Sequence, residues 1–171
     1  MRHLLTPRYV FDAATDITPA FLQAHGIRGC LIDLDGTLAS RHQPTGNDRL
    51  IQWLDSLRAA GIRPMLLSNN NGSRVRIFAE SIGVEWQGRA LKPLARGFRQ
   101  GAARLGLPFS QIAVIGDQIY TDTLGGNRLG ALTCYVETID RGDFWIGARY
   151  HLLERAFIRR AKRRSHDEHT D

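Results

Sequence analysis

The sequence predicts an α/β fold, a doubly wound parallel sheet with helices on both faces in a three-layer α/β/α arrangement. Two features of the sequence predict it. Short apolar runs alternate along the chain with segments whose apolar residues recur at helical spacing, which is typical of parallel sheets with right-handed helical crossovers. The 171 residues also contain no internal repeat, low-complexity tract or long linker, so we expect one domain of ordinary size.

Strands and helices are predicted in turn along the chain. A short helix starts at Thr18-Pro19, where proline fits the first turn, and runs to about His25. Three further helices are marked by apolar residues that share one face. Their residues are Leu50, Leu54 and Leu57 before Gly61; Val75, Phe78 and Ile82 before Gly83; and Leu94, Phe98, Ala102 and Leu105 before Pro108. The predicted strands are Cys30–Leu34, Pro64–Ser68, Ile112–Ile115 and Leu132–Val136.

Composition and charge limit the classes of protein to be considered. The chain is 43% hydrophobic and 23% charged, as in globular proteins. Cys30 and Cys134 are too few for a disulfide framework, so we expect buried, reduced thiols. The N-terminal residues do not have the pattern of a signal peptide, and no run approaches the ~20 apolar residues of a membrane-spanning helix. We therefore expect a cytoplasmic protein, in solution or on the inner face of a membrane.

The C-terminal segment is strongly basic. Residues 141–164 carry eight Lys and Arg against two acidic residues, whereas residues 165–171 are acidic. We therefore divide the chain into a core with a short lead-in (1–140), a basic amphipathic helix (141–164) and a disordered tail (165–171). Such a helix either lies in an anionic membrane interface or packs on the core with its arginines in solvent. Its apolar face comprises Ile146, Tyr150, Leu153, Phe157 and Ala161.

Polar residues follow the predicted strands at the points where the strands end. Asp33, Ser68 and Asp117 each lie at or just beyond such an end, and Lys92 lies between the last two. Because the carboxyl ends of parallel strands meet at one edge of a sheet, this edge is the expected place for the chemistry.

These residues resemble the four motifs of the haloacid dehalogenase superfamily of phosphatases. The motifs are Asp33-Leu34-Asp35-Gly36-Thr37, Ser68 after Met65-Leu66-Leu67, Lys92 in Leu91-Lys92-Pro93, and Gly116-Asp117 with Asp122 five residues on. The resemblance covers about residues 27–136 and implies the Rossmann-like core of that superfamily. It implies Asp33 as nucleophile, Asp35 as general acid and base, and Thr37, Ser68, Asn69 and Lys92 as phosphate-binding residues.

The same resemblance implies a Mg²⁺ ion as cofactor, since magnesium prefers hard oxygen ligands. The implied ligands are Asp33, Asp117 and the backbone carbonyl of Asp35, while Asp122 reaches the metal through water or orients Lys92. For Asn69, Asn70 and Asn71 the alternative is that they cap the following helix.

The spacing of the motifs predicts that no cap domain covers the site. Only 30 residues separate Thr37 from Ser68, and 23 separate Ser68 from Lys92, whereas a domain needs at least ~50. An open site favours bulky phosphorylated substrates. Features along the whole chain resemble subfamily IIIA, the YqeG-type branch, although Gly36 stands where that branch often has Asn. They are the Asp33-Leu34-Asp35-Gly36-Thr37 motif, the basic C-terminal helix, the lead-in from Leu5-Thr6-Pro7 to Ile17-Thr18-Pro19, and Gly116-Asp117-Gln118 followed by Thr121-Asp122. This branch implies phosphatidylglycerophosphate as substrate and peripheral association with anionic membrane.

The sequence is also compatible with two other functions. One is a phosphatase that acts on nucleic-acid ends or small phosphoesters, which the basic segment would also serve, but no aromatic-rich basic groove supports nucleic acid elsewhere. The other is a non-enzymatic module that binds RNA or protein on the same fold, because fold alone does not determine function. The oligomeric state is not predicted.

Overall fold

The structure, a computed structural model, describes residues 4–70, 72–139 and 157–162. Six strands form one sheet, and every pair of neighbouring strands is parallel. They are β1 (Tyr9–Phe11), β2 (Gly29–Ile32), β3 (Arg63–Leu67), β4 (Glu85–Gln87), β5 (Ile112–Gly116) and β6 (Leu132–Val136). Their order across the sheet is β1-β6-β5-β2-β3-β4, which places β2, β3 and β5 side by side at the centre.

Five helices connect the strands. They are α1 (Pro19–Ala24), α2 (Asp48–Ala59), α3 (Ser73–Ser81), α4 (Ala95–Leu105) and α5 (Leu124–Leu129). Side-chain caps begin the first two: the hydroxyl of Thr18 accepts the N–H of Phe21, and Asn47 accepts the N–H of Leu50. A π-helical turn, Ile119–Thr123, leads into α5.

Two apolar cores lie on opposite faces of the sheet. One joins Cys30 and Ile32 of β2 to side chains of α1, α2 and α3, and the other joins Leu31 of β2 to Phe98 of α4. Because successive residues of a strand point to opposite faces, this division confirms the three-layer α/β/α arrangement. Cys30 and Cys134 are free and buried, as predicted.

The structure differs from the prediction at several elements. It adds β1 and β4, each only three residues long, and the short helix α5. The first two predicted strands end at Ile32 and Leu67, one or two residues before the predicted ends. The placement of Leu94 in a helical core is wrong, because Leu94 is the extended residue before α4 and is 56% exposed.

Only a small part of the predicted basic helix lies among the described residues. Residues 157–162 are helical; Ala161 is buried, whereas Arg159 and Arg160 are exposed. Lys162 Nζ lies 3.4 Å from Glu137 Oε1 of the core. The rest of the predicted helix, with Ile146, Tyr150 and Leu153, and the tail 165–171 lie outside the described residues. No helix in the described part of the chain is both long enough and apolar enough to cross a membrane.

Candidate active site

Three adjacent strands deliver the predicted polar residues to one edge of the sheet. Asp33 follows β2, Ser68 follows β3 and Asp117 follows β5. Backbone hydrogen bonds continue the sheet for one more residue: Asp33 donates to Ile115 and Ser68 donates to Gln87. All three side chains are buried. Their positions thus follow from strands that stop together at the carboxyl edge.

A buried lysine joins two of three clustered carboxylates. Lys92 Nζ donates to Asp33 Oδ1 at 2.6 Å and to Asp122 Oδ1 at 2.7 Å. Asp33, Asp117 and Asp122 each offer one oxygen, and these oxygens lie within 4.8 Å of one another. The side chains of Lys92, Asp33 and Asp122 are less than 10% exposed. Of the two predicted roles of Asp122, this contact corresponds to the orientation of Lys92.

Two glycines make room for the carboxylates. Gly36 has a φ of +86°, and a Cβ built on it would collide with the Asp117 carboxylate and lie 2.9 Å from Thr138 Oγ1. A Cβ on Gly116 would collide with Asp122. Glycine suits position 36 for two reasons: the backbone has a positive φ, and a Cβ would have no room.

The charges in the cluster do not balance. Burial raises the pKa of Asp33 to about 6, with Lys92 acting against the rise and Asp122 adding to it. Burial, together with the Asp33 and Asp122 carboxylates, raises the pKa of Asp117 to about 8. Burial alone would lower the pKa of Lys92, but the same two carboxylates raise it well above its usual range. One lysine faces three carboxylates, so the cluster lacks positive charge.

A divalent cation fits this deficit. Three carboxylate oxygens within 4.8 Å form the kind of hard donor set that Mg²⁺ or a similar ion prefers. The side chains that could hold it are those of Asp33, Asp117 and Asp122. The side chain of Asp35, by contrast, lies apart from this set, bound to other residues.

Asp35 is held by an arginine that sequence reasoning missed. Arg74, near the start of α3, donates from Nη1 to Asp35 Oδ1 at 2.6 Å, while Asn70 Nδ2 donates to Asp35 Oδ2 at 2.7 Å. Arg74 also donates to the carbonyls of Ser40 and Arg41, at 2.7 and 2.9 Å. An arginine in the first turn of a surface helix carries no sequence signal that distinguishes it from a solvated one.

The interpretation of the asparagines as helix caps is wrong for the two that are described. The residue before α3 is Gly72, and no side chain caps that helix. Asn69 instead accepts the backbone N–H of Lys92 at 2.6 Å and donates to its carbonyl at 3.2 Å. Asn69 thus fixes the loop that carries Lys92. Asn71 lies outside the described residues.

The remaining predicted residue, Thr37, also lies in the cluster. Its hydroxyl is 3.3 Å from both Asp33 Oδ2 and Asp117 Oδ1. Thr138, which follows β6, hydrogen-bonds to Asp117 and acts to lower its pKa. No motif surrounds Thr138, so no sequence pattern distinguishes it from other threonines.

The motif intervals hold no additional domain in the part of the chain that the structure describes. The interval from Thr37 to Ser68 contains α2 and β3, and that from Ser68 to Lys92 contains α3 and β4. The expected open site is consistent with this short connectivity.

Comparisons with known proteins give consistent relatives. Residues 41–130 match the family of haloacid dehalogenase-like hydrolases. The chain is 35% identical over 150 residues to the protein named Probable phosphatase YqeG of Bacillus subtilis (strain 168), a match that covers 88% of this chain and 87% of that protein. It is 30% identical over 127 residues to Phosphatidylglycerophosphate phosphatase 1, chloroplastic, of Chlamydomonas reinhardtii. That match covers 69% of this chain but only 47% of the algal protein.

Solved structures share the fold. A HAD superfamily (subfamily III A) hydrolase from Legionella pneumophila is 20% identical, with a TM-score of 0.51 over 82% of this chain and 89% of the other. Protein XCC2798 from Xanthomonas campestris is 19% identical, with a TM-score of 0.54 over 81% and 79% of the two chains.

Proposed function

Because the chain belongs to the haloacid dehalogenase-like hydrolases and is a phosphatase, we propose that it transfers phosphate from its substrate to Asp33 and then to water. The observation that carries this proposal is the buried contact of Lys92 with Asp33 and Asp122 at the carboxyl edge. Lys92 binds Oδ1 of Asp33, so Oδ2, which accepts the Thr37 hydroxyl at 3.3 Å, is the oxygen proposed to attack phosphorus. Lys92 also supplies a positive charge for the phosphate oxygens, as phosphoryl transfer requires.

The proposed reaction has two steps. An Asp33 oxygen forms a bond to phosphorus while the bond from phosphorus to the alcohol oxygen breaks, and Asp35 gives its proton to that oxygen. In the second step water attacks the aspartyl phosphate, Asp35 takes a proton from the water, and phosphate leaves Asp33 free. Arg74 and Asn70 orient the Asp35 carboxylate between the steps, since both hydrogen-bond to it.

The residues at the edge would hold a magnesium ion. Asp33 and Asp117 would bind it together with the backbone carbonyl of Asp35, while Asp122 orients Lys92. When bound, the ion would offset the negative charge of the phosphate oxygens and of the carboxylate cluster. The room that Gly36 and Gly116 leave around Asp117 and Asp122 supports this assignment.

The proposed substrate is phosphatidylglycerophosphate, from which the reaction releases phosphate and phosphatidylglycerol. Three observations support it: the similarity to the algal protein of that name, the short connections around the site and the basic segment 141–164. A lipid headgroup has to be reached at a bilayer surface, so the proposal includes peripheral association with anionic membrane on the cytoplasmic side.

The test separates mechanism from substrate. Asp33→Asn should abolish hydrolysis of p-nitrophenyl phosphate without unfolding the protein. Excess EDTA should abolish hydrolysis by the wild type. Asp12→Asn, which changes an exposed aspartate, should leave the rate unchanged. Substantial activity in Asp33→Asn would contradict the aspartyl mechanism.

For the substrate, phosphate release from vesicles that contain phosphatidylglycerophosphate is compared with release from a 3′-phosphorylated oligonucleotide. We expect the lipid to react faster by orders of magnitude. Faster release from the oligonucleotide would instead support the alternative in which the enzyme acts on nucleic-acid ends.

A further inference from the structure

Large apolar side chains are exposed at the mouth of the site. Four such side chains are prominently exposed among the described residues, by 45–56%: Ile77, Leu91, Leu94 and Ile139. Three of them lie in loops at the carboxyl edge of the sheet, whereas Ile77 belongs to helix α3. Scattered exposed apolar residues are ordinary, but three that lie in loops at the edge of the candidate site call for an explanation.

A hydrogen-bonded turn places two of these leucines next to Lys92. The N–H of Leu94 donates to the carbonyl of Leu91 at 2.9 Å, so Lys92 and Pro93 form the centre of a turn. Lys92 points inward to Asp33, while both leucines face outward. On the other side of the site, Ile139 donates its N–H to the carbonyl of Gly36 at 2.8 Å.

The loop before this turn has an unusual backbone. Arg89 and Leu91 have φ angles of +49° and +53°, and among the described residues they are the only non-glycine residues with positive φ. A bulky side chain is rarely found in this region, and such conformations concentrate at functional sites. Ala90 between them is buried, whereas Arg89 and Leu91 are exposed. The loop thus presents an arginine and a leucine to solvent while it delivers Lys92 to the interior.

Basic side chains accompany the leucines. A groove of about 620 Å³ beside the edge strand β4 is lined by residues that include Arg89, Leu91, Arg96 and Arg104. Arg104 is held by Glu85 at 2.9 Å and by the carbonyl of Trp86. Arg89 and Arg96 are exposed and line the same groove as Leu91, so they place positive charge beside this exposed leucine.

We propose that this rim, defined as Arg89, Leu91, Leu94 and Arg96, docks the enzyme on an anionic lipid bilayer. The leucines enter the apolar boundary of the bilayer, and the arginines meet the phosphates of surrounding lipids. Lys92, on the inner side of the same turn, then faces the headgroup to be hydrolysed. The inference rests on the proposed lipid substrate and assigns the membrane contact to the mouth of the site rather than to the basic C-terminal segment alone.

A fluorescent probe tests which edge meets the bilayer. Cys30 and Cys134 are buried, so a single exposed cysteine can be labelled with an environment-sensitive dye in the full chain. Leu94→Cys carries the probe on the rim. Ser110→Cys, in the exposed turn before β5, carries it at the opposite edge. With phosphatidylglycerol vesicles, we expect a blue shift at position 94 and none at position 110.

Each other outcome of the labelling overturns the rim. Equal shifts at both positions, or a shift at position 110 alone, would show that the bilayer contacts a different surface. A shift at position 94 that grows with protein concentration without vesicles would assign the rim to a second copy of the chain.

Matched substitutions measure the contribution of the rim to binding. Arg89→Gln/Arg96→Gln should weaken co-sedimentation with phosphatidylglycerol vesicles by roughly 30-fold, because each arginine near an anionic surface contributes to attraction. Arg28→Gln/Arg128→Gln removes the same charge from exposed residues of the opposite edge and should have little effect. Thermal unfolding checks that both variants are folded.

The apolar half of the rim has its own control. Leu91→Ser/Leu94→Ser should lower vesicle binding by about tenfold or more, whereas Ile77→Ser should not. If the wild type hydrolyses the lipid and the rim variants bind vesicles as well as it does, the docking inference is wrong while the proposed function stands. If the wild type neither binds the vesicles nor hydrolyses the lipid, both fail.

Discussion

Asp117→Asn should stabilise the metal-free protein at alkaline pH. The substitution keeps the shape of the side chain and removes one of three clustered carboxylates, the one that Lys92 does not contact. Crowded, buried charges are costly without a full set of partners, and active sites keep such groups at the expense of stability. The same carboxylate is a proposed metal ligand, so the gain should disappear when the ion is bound.

The expected magnitude follows from the pKa of Asp117, which burial and the neighbouring carboxylates raise to about 8. The unfolded chain releases this proton near pH 4, so between about pH 4 and pH 8 it binds fewer protons than the native state. Native stability therefore falls as the pH rises through this window. One pKa unit corresponds to about 1.4 kcal/mol, which sets an upper limit of about 6 kcal/mol. Asp33 carries part of the same electrostatic repulsion, and the site can relax around the charge. We therefore expect a stabilisation of ~2 kcal/mol, or a rise in Tm of roughly 4–8 °C.

The assay is thermal unfolding followed by circular dichroism at pH 5, 6.5 and 8, in EDTA and in excess magnesium chloride. In EDTA the Tm of Asp117→Asn should exceed that of the wild type most at pH 8 and least at pH 5. Magnesium should raise the Tm of the wild type, since it binds the native state, and should barely affect the variant. Asp12→Asn is the control for the loss of an exposed carboxylate.

Two results would refute this reasoning. A variant less stable than the wild type in EDTA at pH 8 would show that the hydrogen bonds of Asp117 with Thr37 and Thr138 outweigh the repulsion. A gain of equal size at pH 5 and pH 8 would show that its origin is not the ionisation of a carboxylate.

Two further substitutions have matched controls in the chain. Gly36→Ala should abolish most activity and weaken magnesium binding measured by calorimetry, because the added Cβ collides with a carboxylate of the cluster. Its control is Gly61→Ala, at a φ of +76° with nothing within 4 Å of the added Cβ. This control should lose only ~1–2 kcal/mol of folding stability, the cost of a side chain at a positive φ. Equal losses of activity in both would reject the steric explanation. Arg74→Gln should lower kcat by roughly 10–100-fold, the equivalent of one charge-assisted hydrogen bond. The loss should be larger with an alkyl phosphate than with p-nitrophenyl phosphate. Arg76→Gln, which removes an exposed ion pair with Glu80, should leave kcat unchanged.

The parts of the site that the sequence predicts depend on local patterns. Asp33 and Asp117 follow buried apolar strands, and periodicity within a few residues is enough to place them at the carboxyl edge. Arg74 reaches Asp35 across 39 positions of the chain, and an arginine at a helix start is most often solvated. Its position depends on the loop from Ser40 to Gln43, because carbonyls of that loop accept hydrogen bonds from its guanidinium group.

The missed elements of the fold have similar causes. β1 has three residues and pairs with β6, to which it is joined only by long-range contacts. A three-residue run has no measurable period, so its identity as a strand is decided by its partner. Leu94 fits the helical spacing of Phe98 and Ala102, but the turn that presents Lys92 takes Leu94 out of the helix. The geometry of that turn overrides the local pattern.

The pairing of β1 with β6 also sets the order in which the chain can fold during synthesis. Tyr9 lies opposite Cys134 and Arg8 donates to Thr133, 125 residues later. At a synthesis rate of about 5–20 residues per second, the first strand waits roughly 6–25 s for its partner to be made. β2 and β3, in contrast, can pair once residue 67 has left the ribosome, so this central pair can form before the edge pair of β1 and β6. Through this delay, Tyr9, Val10 and Phe11 are exposed to chaperones and to other nascent chains.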